Sequence, residues 1–198
     1  MSDRDDKYWD SNQEIHKSKF EEGLSYRAYM DASKEQEQSR WQAVYDSVLL
    51  TDAQKQLLGG FTRKMNVLCL CGAWCGDCVK QGPILQRIAE ASNVIDLRYV
   101  DRDSNPDLRD NMRILGGTRV PVVVFLSEDF LECGRFGART LSTYRKMAAQ
   151  QIGVACPTGI VPPPDDELAA VAQDWIDMFE RAQLALRLSP MLRQRYGD

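Results

Sequence analysis

Residues 67–83 read VLCLCGAWCGDCVKQGP, and the fold depends on how this stretch divides. NVLCLC (66–71) is short, apolar and bounded by polar residues and Gly72, which reads as a buried strand. CVKQGPILQRIAEAS (78–92) reads as a helix with Val79, Ile84, Leu85 and Ile88 inward and a kink at Pro83. Four cysteines, Cys69, Cys71, Cys75 and Cys78, fall within this strand-to-helix junction. They are either a metal cage, or one redox pair with two packing residues beside it.

Outward from the junction, VIDLRYV (94–100) is a second strand, NPDLRDNMRIL (105–115) a helix and GGTR a loop. VPVVVFL (120–126) and LECGRFG (131–137) are two more strands, and ARTLSTYRKMAAQQI (138–152) is a closing helix. The order β-α-β-α-β-β-α predicts an α/β fold with a small, mixed, four-stranded sheet and helices on both faces. The first two strands, joined by a helical crossover, should be parallel, and the last two, joined by a tight turn, antiparallel.

Upstream, SRWQAVYDSVLL carries Trp41, Val44, Tyr45, Val48 and Leu49 at helical spacing. TDAQKQLLGG is a second short helix, capped by Thr51 or Asp52 and stopped at Gly59 or Gly60. The first thirty residues are highly charged with scattered aromatics, and read as a frayed arm with some helix. Downstream, GVACPTGIVPPP is a loop. A long helix from about Asp165 to Leu188 carries the stripe Leu168, Val171, Ala172, Trp175, Ile176, Phe179 and Leu186, which should dock on its own core. The expected division is 1–50 as an N-terminal arm and helical extension, 51–152 as the central domain, and 153–198 as a loop and a packed C-terminal helical extension. Trp41 and Trp175 are the expected anchors of the two extensions.

The chain has 198 residues, 43% of them hydrophobic, and a formal charge of −4. That charge gives no footprint for nucleic acid, and no stretch approaches the roughly 20 apolar residues of a membrane span. The polar N-terminus holds no apolar core of a secretory signal, so a cytoplasmic location is expected. Six cysteines in a reducing compartment point to packing, metal ligation or catalysis rather than to a structural disulfide framework.

A strand running into WCGDC at the start of a helix, followed by Asn105-Pro106, Val120-Pro121 and Gly137 in this order, resembles the thioredoxin family. The resemblance covers Thr51 to Ile152 and implies a thioredoxin-like fold. It implies Cys75 as the exposed attacking cysteine, Cys78 as the buried resolving one, Trp74 as a flanking residue and Pro121 as cis. The backbone of Val120 would then pair with an extended substrate segment. The chemistry agrees: a thiolate at a helix N-terminus is favoured by unpaired N–H groups and the macrodipole. Thiolate attack on a substrate disulfide, then displacement by the second thiol, leaves a Cys75–Cys78 disulfide for an external reductase to restore. Arg119 is a candidate contact for an acidic substrate, or a solvated loop residue.

Three positions depart from the family pattern. Cys69 stands where many thioredoxins carry a buried aspartate, Cys71 where they carry tryptophan, and Tyr99 near the place of a partner lysine. Asp77 replaces a common proline and is a candidate proton relay for Cys78. At roughly 7 Å in a wet environment its repulsion of a Cys75 thiolate is about 1 kcal/mol, less than a tenfold effect. Cys133 and Cys156 stand apart from the motif, and the single histidine, His16, lies far upstream.

The sequence therefore predicts an enzyme, a thiol–disulfide oxidoreductase reducing protein or small-molecule disulfides through Cys75 and Cys78. It would need no cofactor beyond that redox-active disulfide and no metal, and would act as a monomer without nucleic-acid or membrane partners. The alternative is a thioredoxin-fold binding module whose Cys69, Cys71, Cys75 and Cys78 hold metal or sense oxidation without turnover.

Overall fold

Strand β1 (Met65–Cys71) is buried along its whole length, as its continuous apolar run requires. The computed structural model describes residues 7–151 and 166–197. β1 pairs in parallel with β2 (Ile95–Asp101) and antiparallel with β3 (Val122–Leu126), which pairs antiparallel with β4 (Glu132–Gly137). The sheet order is β2-β1-β3-β4. The thioredoxin-like α/β architecture expected from the sequence is the one observed.

Ahead of β1 come α1 (Gln13–Glu22), α2 (Tyr26–Asp31), α3 (Glu35–Ser47) and α4 (Asp52–Gly59). Thr51 caps α4, accepting from the Gln54 N–H, while the Gln54 side chain accepts from the Thr51 N–H. Between β1 and β2 lies α5 (Gly76–Glu90), and α6 (Pro106–Asn111) lies between β2 and β3. After β4 come α7 (Leu141–Gln151), α8 (Glu167–Leu188) and α9 (Pro190–Tyr196). α5 runs as one helix through Pro83. α6 is shorter than its periodicity suggests, because the chain reverses at Ile114–Gly117 with Leu115 and Gly116 at positive φ.

The N-terminal segment differs from the frayed arm its charge suggests. α1 buries His16 and Phe20, and α2 buries Tyr29 and Met30. Leu24 exchanges two backbone hydrogen bonds with Tyr99 on β2 (2.9 and 2.8 Å), so the segment is stitched to the sheet edge. Its apolar residues are few, but they lie on one side and meet core partners: Phe20 packs on Phe130 with ring centroids 5.4 Å apart.

One core joins the extensions to the sheet. Trp41 of α3 meets Tyr99 edge-on, and Phe179 of α8 meets Phe125 of β3 in a T-shaped contact at 4.9 Å. α8 buries Val171, Ala172, Trp175, Ile176 and Phe179 as its stripe predicts. Glu167 in its first turn is paired to both Lys80 of α5 and Lys146 of α7. α8 ends at Ser189-Pro190, and Ser189 also caps the following α9 by accepting from the Leu192 N–H. The expected loop at 153–164, with Cys156, lies outside the described residues. No described helix is long and apolar enough to cross a membrane.

Candidate redox site

Cys75 is the N-cap residue of α5, so its side chain stands where the first backbone N–H groups of that helix are unpaired. It is partly exposed, whereas Cys78, one turn into the helix, is fully buried. The Cys78 thiol beside it, with the N–H groups of Cys78 and Asp77, lowers the Cys75 pKa from the ordinary cysteine range to about 6. Partial burial and the Asp77 charge oppose this effect. Cys78 moves the other way: burial, then the adjacent Cys75 and Cys71, push it far above the ordinary range. The Gly72 N–H donates to its sulfur at 3.4 Å. The two thiols are thus set apart by environment, one ready to ionise and one held protonated.

Val120–Pro121 is a cis peptide bond. The Val120 carbonyl accepts from the Cys75 thiol at 3.7 Å, which places this loop directly against the reactive sulfur. Gly137 completes the loop's surroundings, because a Cβ there would lie 2.4 Å from the Pro121 oxygen. Trp74 is 45% exposed, with the Arg102 guanidinium 4.5 Å from its ring centre. Trp74 and Cys75 thus each keep part of their surface exposed. Arg119 precedes Val120 in the chain, and its side chain is exposed.

The Asp77 carboxylate accepts a two-pronged pair from Arg139, at 2.9 Å and 3.3 Å. The structure thus brings together Trp74, Cys75, Cys78, Val120 and Pro121, and pairs the candidate relay with Arg139.

The three departures from the family pattern are linked in space. Cys69 and Tyr99 are register partners across β1 and β2, so a thiol and a phenol face each other where a buried charge pair was expected. The Tyr99 hydroxyl donates to the Gly82 carbonyl at 3.0 Å. No tryptophan stands at 71, yet Trp41 arrives from α3 and donates its indole N–H to the Ala73 carbonyl at 3.0 Å. Cys69 and Cys71 are completely buried, and burial followed by the neighbouring Cys69 raises Cys71 well above the ordinary range. Cys133, on β4, is raised by burial to about 12. Among the described residues, no group of three or more His, Cys, Asp or Glu side chains is placed to hold a metal.

Arg139, Gln81 and Arg102 were not singled out from sequence. Gln81 was read only as part of a helix, yet it is 1% exposed with its amide fully used. It donates to the Asp77 and Ala138 carbonyls and accepts from the Trp175 indole. A glutamine on the inward face beside Ile84 and Leu85 was the available signal.

The family described as Thioredoxin matches residues 23–150. The match begins upstream of Thr51 and so takes in α2 and α3. Among solved structures, a Pseudomonas aeruginosa protein of unknown function is 23% identical with a TM-score of 0.63, the match covering 82% of this chain and 95% of that one. An HIV epitope scaffold is 20% identical with a TM-score of 0.56, covering 87% of this chain and 98% of that one. Both likenesses extend across the helical extensions and speak to the fold alone. No curated protein matches the sequence.

Proposed function

The chain belongs to the thioredoxin family, and we propose that it is a thiol–disulfide oxidoreductase that reduces protein or small-molecule disulfides through Cys75 and Cys78. The observation that carries this reading is the asymmetry of the two thiols. Cys75 is accessible, lies at a helix N-terminus beside the Val120 carbonyl, and has its pKa lowered to about 6, while Cys78 is buried and raised.

In the first step the Cys75 thiolate attacks one sulfur of the substrate disulfide. The substrate S–S bond breaks, a mixed disulfide forms, and one substrate sulfur leaves as a thiolate that takes a proton from solvent. The second step needs Cys78 as a thiolate. While Cys75 is a free thiolate, its charge and hydrogen bond hold the Cys78 proton in place. Once Cys75 is bound in the mixed disulfide, both influences vanish; burial and Cys71 still disfavour the Cys78 anion, and the Gly72 N–H favours it. Cys78 gives up its proton to solvent or to the departing substrate sulfur, attacks the Cys75 sulfur, and releases the second substrate thiol. The substrate gains two electrons and the protein keeps a Cys75–Cys78 disulfide, which an external dithiol or reductase must reduce.

The partly exposed Trp74–Cys75 face and the Val120–Pro121 loop would receive the substrate, with Arg119 at the margin of that surface. The test is insulin reduction with dithiothreitol as electron donor. Wild-type protein should turn over catalytically and Cys75→Ser should not. Undiminished turnover in Cys75→Ser would refute the assignment.

A further inference from the structure

Within the redox site, an acidic residue sits in the motif two positions after the nucleophile, where its charge opposes thiolate formation. Arg139 meets that carboxylate with both prongs of its guanidinium, both side chains being about one-quarter exposed (26% and 29%). A planar two-bond pair fixes orientation as well as charge. The arginine follows Ala138, whose carbonyl is held by the Gln81 amide at 2.9 Å. Gln81 in turn accepts from the Trp175 indole at 3.1 Å and donates to the Asp77 carbonyl at 3.2 Å. A buried chain of hydrogen bonds thus runs from α8, through α5, to the residue before Arg139.

We propose that Arg139 is a positioning residue of the redox site, which turns the Asp77 carboxylate aside and offsets its charge, and that α8 holds Arg139 in place through Trp175, Gln81 and Ala138. The proposal rests on the Cys75–Cys78 reading for its consequence, but the ion pair and its support stand independently of turnover. It gives the C-terminal extension a role at the catalytic centre in addition to packing. It also accounts for an aspartate at a position where it would otherwise weaken the nucleophile.

The charged and titratable groups around Cys75 are few. Asp77 and Cys78 share its helix, Arg139 approaches from the β4–α7 connection, Arg102 lies over Trp74 from the β2–α6 loop, and Arg119 precedes Val120. Cys71 reaches Cys78 from β1. Lys80 and Lys146 are tied to Glu167. Arg139 is the cation that pairs with Asp77 among the described residues.

The experiment is a double-mutant cycle read as the ultraviolet thiolate absorbance of Cys75 against pH, in reduced full-length protein. Arg139→Gln should raise the Cys75 midpoint by about half a pH unit, and Arg139→Lys should keep it near the wild-type value. In an Asp77→Asn background, the same Arg139→Gln change should give a clearly smaller shift, because only the guanidinium's own charge is lost and no carboxylate is released from its position. An unshifted midpoint in Arg139→Gln, or an equal shift with and without Asp77, would overturn the proposal. Failure of turnover in insulin reduction would instead bear on the oxidoreductase reading, since the thiolate titration needs no substrate.

Discussion

Gly82→Ala tests whether the N-terminal extension is built into the redox helix. A Cβ at position 82 would lie 2.1 and 2.2 Å from two ring carbons of Trp41, against about 3.5–4.0 Å for a normal carbon contact. The indole cannot step aside, because it is completely buried, bonded to the Ala73 carbonyl and ringed by Tyr26, Tyr29 and Tyr99. Replacing a helical glycine by alanine alone would favour the helix by about 1 kcal/mol. Overpacking of a filled core costs about 1–3 kcal/mol, and an overlap exceeding 1 Å against a pinned ring belongs at the upper end. The expected net loss is therefore about 2 kcal/mol. For a chain of this size that lowers the melting temperature by roughly 4–8 °C. Thermal and urea unfolding would measure it, with Gly82→Ala combined with Trp41→Phe recovering part of the loss because the smaller ring leaves room. Gly82→Ala at or above wild-type stability would refute the packing of α3 against α5.

Three further outcomes follow from the same structure. Phe179→Ala removes a ring that is completely buried against Phe125, and should destabilise the protein by about 3–5 kcal/mol in urea unfolding; a loss below 1 kcal/mol would mean that α8 is not part of the core. Alkylation of reduced protein by iodoacetamide should follow a thiolate titration with its midpoint near 6, rising with pH and flat above 7. Because that pKa is depressed in the folded state, the stabilisation of the reduced form is fully present above the ordinary cysteine value and is lost as pH falls through about 6. Melting temperatures of wild type relative to Cys75→Ser should therefore fall across this window, and a constant difference would contradict the assignment.

What the sequence revealed was local. The strand 66–71, the WCGDC turn and the Val-Pro ahead of β3 each carry their signal within a few residues, and each sits where it was expected. Two things were hidden for physical reasons. In α1 and α2 the buried residues His16, Phe20, Tyr29 and Met30 are outnumbered by charged neighbours. Periodicity was therefore weak, and their destinations appear only in the fold: Phe20 meets Phe130, and Tyr29 meets Trp41 and Tyr99. Asp77 looked like a relay because adjacency to Cys78 was all the chain could show. Its actual partner, Arg139, stands 62 residues away, a separation at which no spacing rule operates. Trp41 illustrates both sides: it was legible as an anchor, but its bond to Ala73, just ahead of the WCGDC motif's cysteines, required the fold.

The most direct test of the central claim is to map the disulfide formed when the reduced protein is oxidised by a stoichiometric disulfide reagent, by peptide mass spectrometry after rapid alkylation. The account predicts a single intramolecular bond between Cys75 and Cys78, with the buried Cys69 and Cys71 alkylated only after unfolding. A Cys69–Cys71 or Cys71–Cys78 bond as the first product would contradict it.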